Sequence, residues 1–206
     1  PQAAATVESP GAGASCGGLV TLAGAILSNH PRSNGDGDSV ASVAVGLGQC
    51  SPDSIHAMVF YHREDVTAGN QQSAGLVVAR SLIKDKLDFA AHLGDVISRG
   101  KAGNNKLKYA VAFATNHEFR INNHNIGTTL TAGLGNGALA FDSTLTQAQR
   151  ADNTDLYGAV AIRPLDGFAI IGDFSNHATS YGVSAAPFMT IPMVCTLAHV
   201  DVYGVR

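Results

Sequence analysis

Asn34, Asp36 and Asp38 alternate through the stretch SNGDGDS, as oxygen ligands do in a calcium-binding loop. The match stops there. Ser39 stands where the sharp turn needs glycine, and Val45 stands where a bidentate glutamate would close the shell, so a solvated hairpin loop is the better reading and Asn34, Asp36 and Asp38 remain weak metal candidates. His56 and His62 fall on one face of an extended stretch, but six residues of strand put them about 20 Å apart, too far to share an ion. His117, Glu118 and His124 bracket a polar loop and offer imidazole and carboxylate to zinc without a third fixed ligand. Nucleophilic catalysis needs a serine or cysteine beside a base and an orienting group. No G-x-S-x-G occurs, and Ser184 in GVSAA reads as one inward residue of an alternating strand. The run GLGNG, residues 133–137, lacks the lysine and the following helix of a phosphate loop. Asp95, Asp166 and Asp173 have no spacing that suggests cooperating carboxylates, whereas Arg163 could pair with Asp173 across a hairpin. These residues predict no catalytic site and no cofactor; the expectation is a protein that is not an enzyme.

The elements that carry them are strands. Large and small residues alternate through much of the chain, with turn signals every ten to fifteen positions. In KYAVAFA, Tyr109, Val111 and Phe113 share one face and Ala110, Ala112 and Ala114 the other; LYGAVAIRPLDGFAII repeats the design around the turn Asp166-Gly167, and Asp85-Lys86 is expected to make a tight turn into the stretch from Leu87. The expected fold is all-β, an antiparallel meander of about ten strands closing into a narrow β-barrel with large apolar residues outside and Ala, Gly, Ser, His and Asp inside. A β-sandwich, with the large face inward, is the alternative. Residues 1–15, rich in Ala, Gly, Ser and Pro, form an extended N-terminal segment, and residues 16–206 a single barrel-like domain.

Composition narrows the function classes. A net charge of -3 and scattered Lys and Arg leave no basic footprint for nucleic acid. No stretch is apolar for long enough to span a membrane as a helix. The first residue, Pro1, fits a processed terminus. Of three cysteines, Cys16 and Cys50 flank adjacent strand candidates and are the favoured disulfide, in an oxidising compartment; three buried thiols are the alternative.

The runs ASVAVGLG (41–48), YAVAFA followed by GTTLTAGLGNG (127–137), and the long stretch from LYGAVAIRPLDGF to HVDVYG resemble cyanobacterial outer-membrane-type β-barrel proteins, most clearly over the last 80 or so residues. The resemblance implies the barrel fold. Members of that family end in one more amphipathic strand with a terminal aromatic, which HVDVYGVR lacks, and the absence of Trp with only five Tyr departs from the aromatic girdles of membrane barrels. A missing closing strand leaves two unpaired edges, which another chain can cover by strand addition. The expectation is therefore a non-enzymatic, self-assembling subunit at the cell surface or outside the cell. It is polymerised head to tail with Ala3, Ala4, Ala5, Thr6 and Val7 as the donated strand. The acceptor edge is the stretch carrying Ile191, Met193, Cys195, Leu197, His199, Asp201 and Tyr203. Its partner is then a second copy of itself. Two alternatives stand beside it: an outer-membrane barrel acting as pore or anchor, and a secreted binding module or enzyme on a β-scaffold.

Overall fold

The computed structural model describes residues 6, 11–14, 16–27, 38–51, 53–66, 69–100, 107–122, 124–136, 154–175, 179–188 and 193–200. Within them the chain forms eleven strands: β1 Val20–Leu27, β2 Asp38–Leu47, β3 His56–Val66, β4 Gly69–Ile83, β5 Leu87–Gly100, β6 Lys108–Ile121, β7 His124–Asn136, β8 Thr154–Leu165, β9 Phe168–Ser175, β10 Thr179–Ala185 and β11 Cys195–Val200. They make one antiparallel sheet in sequence order, β1 through β11. The alternating pattern predicts this all-β meander, and the single sheet excludes the two-layer sandwich.

Two expectations need correction. The barrel does not close: among the described residues β1 pairs only with β2 and β11 only with β10, so one edge of each lacks a ladder partner. The polar stretch 116–125 is also mostly strand rather than loop. Asn116 to Ile121 continues β6, paired through to His124 of β7, because Phe119 and Ile121 keep the outward alternation while polar residues take the inward positions. The tight turn expected at Asp85-Lys86 is present, with Asp85 at φ 59° and the Lys86 amide donating to the Ile83 carbonyl.

The register fixes which residues share a face. Ala79, Ala90, Ala112, Ala159, Ala161, Ala169 and Ser184 alternate with larger neighbours and are buried. Their neighbours point the other way and are exposed, Leu22, Val59, Phe113, Leu130, Leu156, Phe174 and Leu197 among them. The small residues permit close approach. At Gly133 of β7 the ring of Tyr157, from β8, lies flat over the glycine and its hydroxyl donates to the Val111 carbonyl of β6 at 3.0 Å; a Cβ there would collide with both the ring and that carbonyl. One large inward side chain thus spans three strands because its neighbour has none.

Alternation breaks once in β5. Ala74 pairs with Ile97 but Leu76 pairs with Leu93, so the short run Gly94-Asp95-Val96 bulges opposite Gly75. Asp95 takes φ 54° in this bulge, and its buried carboxylate meets Lys108 Nζ at 2.8 Å.

Candidate functional site

No compact constellation of reactive groups forms. Among the described residues no three His, Cys, Asp or Glu side chains are placed to hold a metal ion. His56 and His62 both face inward, and each has its own partner: His56 Nε2 bonds the Ser51 carbonyl at 2.9 Å, and His62 Nε2 meets Ser73 Oγ at 2.9 Å. His117 lies tilted beside Phe119 on β6, opposite in parity to Glu118, while His124 opens β7 opposite Ile121. Alternation puts Glu118 on the face opposite both histidines, and four residues of strand separate His117 from the position opposite His124. Asn34 and Asp36 lie outside the described residues; Asp38 opens β2 opposite Leu27. Ser184 is an inward residue of β10 that accepts from Thr196 Oγ1 at 3.1 Å.

Arg163 does not reach Asp173. The register sets Asp173 opposite Ala159, four residues along β8, and Arg163 Nη1 donates to Thr129 Oγ1 at 2.7 Å instead. That bond belongs to a polar ladder the sequence reading missed. Thr129 Oγ1 donates to Asn116 Oδ1 at 2.7 Å, and Asn116 Nδ2 donates to Asp88 Oδ2 at 3.2 Å. Four inward residues from β5, β6, β7 and β8 are thereby linked across the sheet, near the end where β4 ends at Ile83, β6 at Ile121 and β8 at Leu165. Only the strand register makes them neighbours, and their sequence separations give no clue to it.

The N-terminal segment is the second feature. Cys16 and Cys50 form a disulfide with Cα atoms 5.3 Å apart, which ties the segment to the β2–β3 connection. From there residues 14 back to 11 run along the inner face. Ala14 packs against the buried patch Val77, Ala79 and Ala90 beside Met58 and Phe60. Ala12 packs against Ala110, Ala112 and Tyr157. His92 Nε2 donates to the Gly11 carbonyl at 2.7 Å. A segment of Ala and Gly fits here because the face beneath it is also Ala and Gly, so backbone can lie close to sheet without displaced side chains.

The proposed donor strand is described at one residue, Thr6, whose hydroxyl lies 3.8 Å from where a Gly11 Cβ would be; Ala3, Ala4, Ala5 and Val7 lie outside the described residues. Of the proposed acceptor edge, Ile191, Asp201 and Tyr203 also lie outside. Met193 precedes β11, whose Cys195 is an exposed free thiol and whose Leu197 is 77% exposed, with the His199 ring tilted against Tyr181 of β10.

The outer face is the third feature. Every strand presents at least one exposed large apolar residue, from Val20 and Leu22 on β1 to Leu197 on β11. Among the described residues the outward strand positions carry four charged residues, Arg63, Asp65, Arg80 and Arg99. The other charged strand residues, Asp88, Asp155, Arg163 and Asp173 among them, take inward positions. A scan of protein-family models and searches of curated proteins and of solved structures each find no match, so the likeness to cyanobacterial barrels rests on the residue pattern alone.

Proposed function

We propose that this chain is a non-enzymatic, membrane-inserting β protein of the outer-membrane type, serving as a pore or anchor once its β1 and β11 edges are paired with each other or with a second chain, since unpaired edges do not enter lipid. The observation that carries the reading is the outer face: eleven strands in a row with large apolar side chains exposed and almost no charge between them. Water-soluble monomers rarely expose apolar patches beyond a few hundred Å². Lipid-facing strands have this pattern, apolar outside and polar or small inside with a period of two. The disulfide between Cys16 and Cys50 agrees with a location outside the reducing cytoplasm. The scarcity of aromatic girdles, which argues against a membrane on composition, weighs less than a continuous apolar face, since girdles anchor a barrel whose insertion the apolar band drives.

Flotation with preformed liposomes tests the reading. The expected result is that the folded protein partitions with lipid and resists carbonate extraction; a monodisperse, detergent-free protein that stays in the aqueous fraction would overturn it.

Self-assembly by strand addition is the second reading, and the open edges of β1 and β11 favour it. Filaments seen by negative stain without detergent, and lost when residues 1–15 are deleted, are its expected signature. Dispersed particles in both samples would sink it.

A further inference from the structure

We propose that Gly11–Ala14 is a seated plug, a strap held in the inner groove of the sheet that closes a passage for small hydrophilic solutes. Three contacts at different depths hold it: Ala14 on the Val77, Ala79 and Ala90 patch, Gly11 on His92, and Ala12 on Ala110, Ala112 and Tyr157. The strap therefore crosses from over β4 and β5 to over β6 and β8, lying across the groove rather than along one strand. It is also one wall of a cavity of about 310 Å³, with Ala12, Gly13 and Ala14 on one side and His56, Asp88 and Asn116 on another.

That placement joins the two inner features. Asp88 and Asn116 begin the polar ladder that continues through Thr129 to Arg163, so the cavity opens onto a hydrogen-bonding wall that runs across four strands. With the strap in place the alanines beneath it are shut from solvent, Ala90 and Ala112 both at 0% exposure. With the strap lifted, the groove it covers, floored by Val77, Ala79, Ala90, Ala110, Ala112 and Tyr157 and continuous with the cavity lined by Asp88 and Asn116, would open to water. The disulfide at Cys16 fixes one end of the strap, so it swings from that point without leaving the protein.

The strap's position is independent of what surrounds the outer face, whereas its role as a closure rests on the membrane-inserting reading, and the experiment separates the two. In a Cys195→Ser background with the Cys16–Cys50 bond intact, Ala112→Cys is labelled with a charged, membrane-impermeant thiol reagent in detergent micelles. Labelling in the full chain is expected at least tenfold slower than that of the same variant unfolded in denaturant. It should rise at least tenfold on deletion of residues 1–15, and likewise in full-length Ala12→Arg, which keeps the chain whole should the deletion fail to fold. Rates unchanged in the folded variants overturn the strap. In planar bilayers, Ala12→Arg should conduct where the parent chain is closed; faster labelling with equal conductance of the two inserted proteins overturns the closure. If neither protein inserts, the membrane reading fails and labelling alone decides whether the strap is seated.

Discussion

The two faces of the sheet invert the arrangement of a water-soluble β protein. Inside, Ala90, Ala112, Ala161 and Ala169 are fully buried although each has only a methyl group to bury. Outside, Leu22 and Leu197 stand 78% and 77% exposed although each would gain on the order of 2 kcal/mol from leaving water. A sheet whose driving force were ordinary core formation would turn the leucines inward. The inner face is instead held by geometry: small residues, a tyrosine laid over a glycine, a strap of Ala and Gly, and hydrogen bonds that cross strands. The outer face has local contacts, such as Phe89 beside Phe113 and Tyr109 bonded to Thr154, but most of its large side chains stand exposed. The difference teaches that the inside specifies the fold and the outside specifies the medium.

The largest expected effect breaks the inside. Gly133→Val places carbon where the Tyr157 ring and the Val111 carbonyl already sit; the carbonyl is backbone of β6, and the ring can withdraw only by breaking its buried hydrogen bond to it. Overpacking of this kind should cost about 3 kcal/mol or more, read from denaturant unfolding of the variant in detergent. A loss under about 1 kcal/mol would show that the close packing over β7 is not what holds β6 to β8.

The next effect breaks the outside. Leu130 stands near the middle of β7, 48% exposed, on the lipid-facing side of the proposed membrane sheet. Leu130→Arg should cost about 2–3 kcal/mol when unfolding is followed in liposomes, as a cation in the hydrocarbon band does. The same change on a water-facing sheet would move stability by no more than about 0.5 kcal/mol. A near-zero result therefore returns the outer face to water, or to a partner that tolerates charge, and leaves the inner face untouched.

Sequence pattern alone identified both faces. The period of two through Tyr109, Val111 and Phe113, and again through Leu156 to Ile171, assigns the large residues to one side and the alanines to the other without reference to coordinates. Turn chemistry at Asp85-Lys86 and Asp166-Gly167 fixed two hairpins for the same local reason. Closure was not legible, because it depends on how far the sheet curls over eleven strands, a sum of small twists that no single residue encodes. The polar ladder was not legible either. Asp88, Asn116, Thr129 and Arg163 meet only through three separate registers, β5 on β6, β6 on β7 and β7 on β8. The strap was half legible: its composition announced an extended segment, and the inner alanines announced a groove, but nothing in either stretch says that one lies in the other. Its latch, His92, sits at an ordinary alternating position.

The smallest effect sharpens the contrast by making one change on both faces. Tyr157 and Tyr109 each use the hydroxyl in a hydrogen bond, Tyr157 to the Val111 carbonyl at 3.0 Å and Tyr109 to Thr154 Oγ1 at 2.6 Å. By bond length alone the outer one is the better contact. By burial the order reverses, for Tyr157 is 3% exposed and Tyr109 is 39% exposed. A buried hydroxyl has no solvent to turn to, so Tyr157→Phe should cost about 1 kcal/mol, whereas Tyr109→Phe should stay within about 0.5 kcal/mol because its partner hydroxyl can rebond to water or to headgroups at the strand end. Unfolding midpoints of the two variants, measured side by side, check the ordering. Equal losses would mean that Tyr109 is as shut off from water as Tyr157, and so that something more than lipid headgroups covers that end of the outer face.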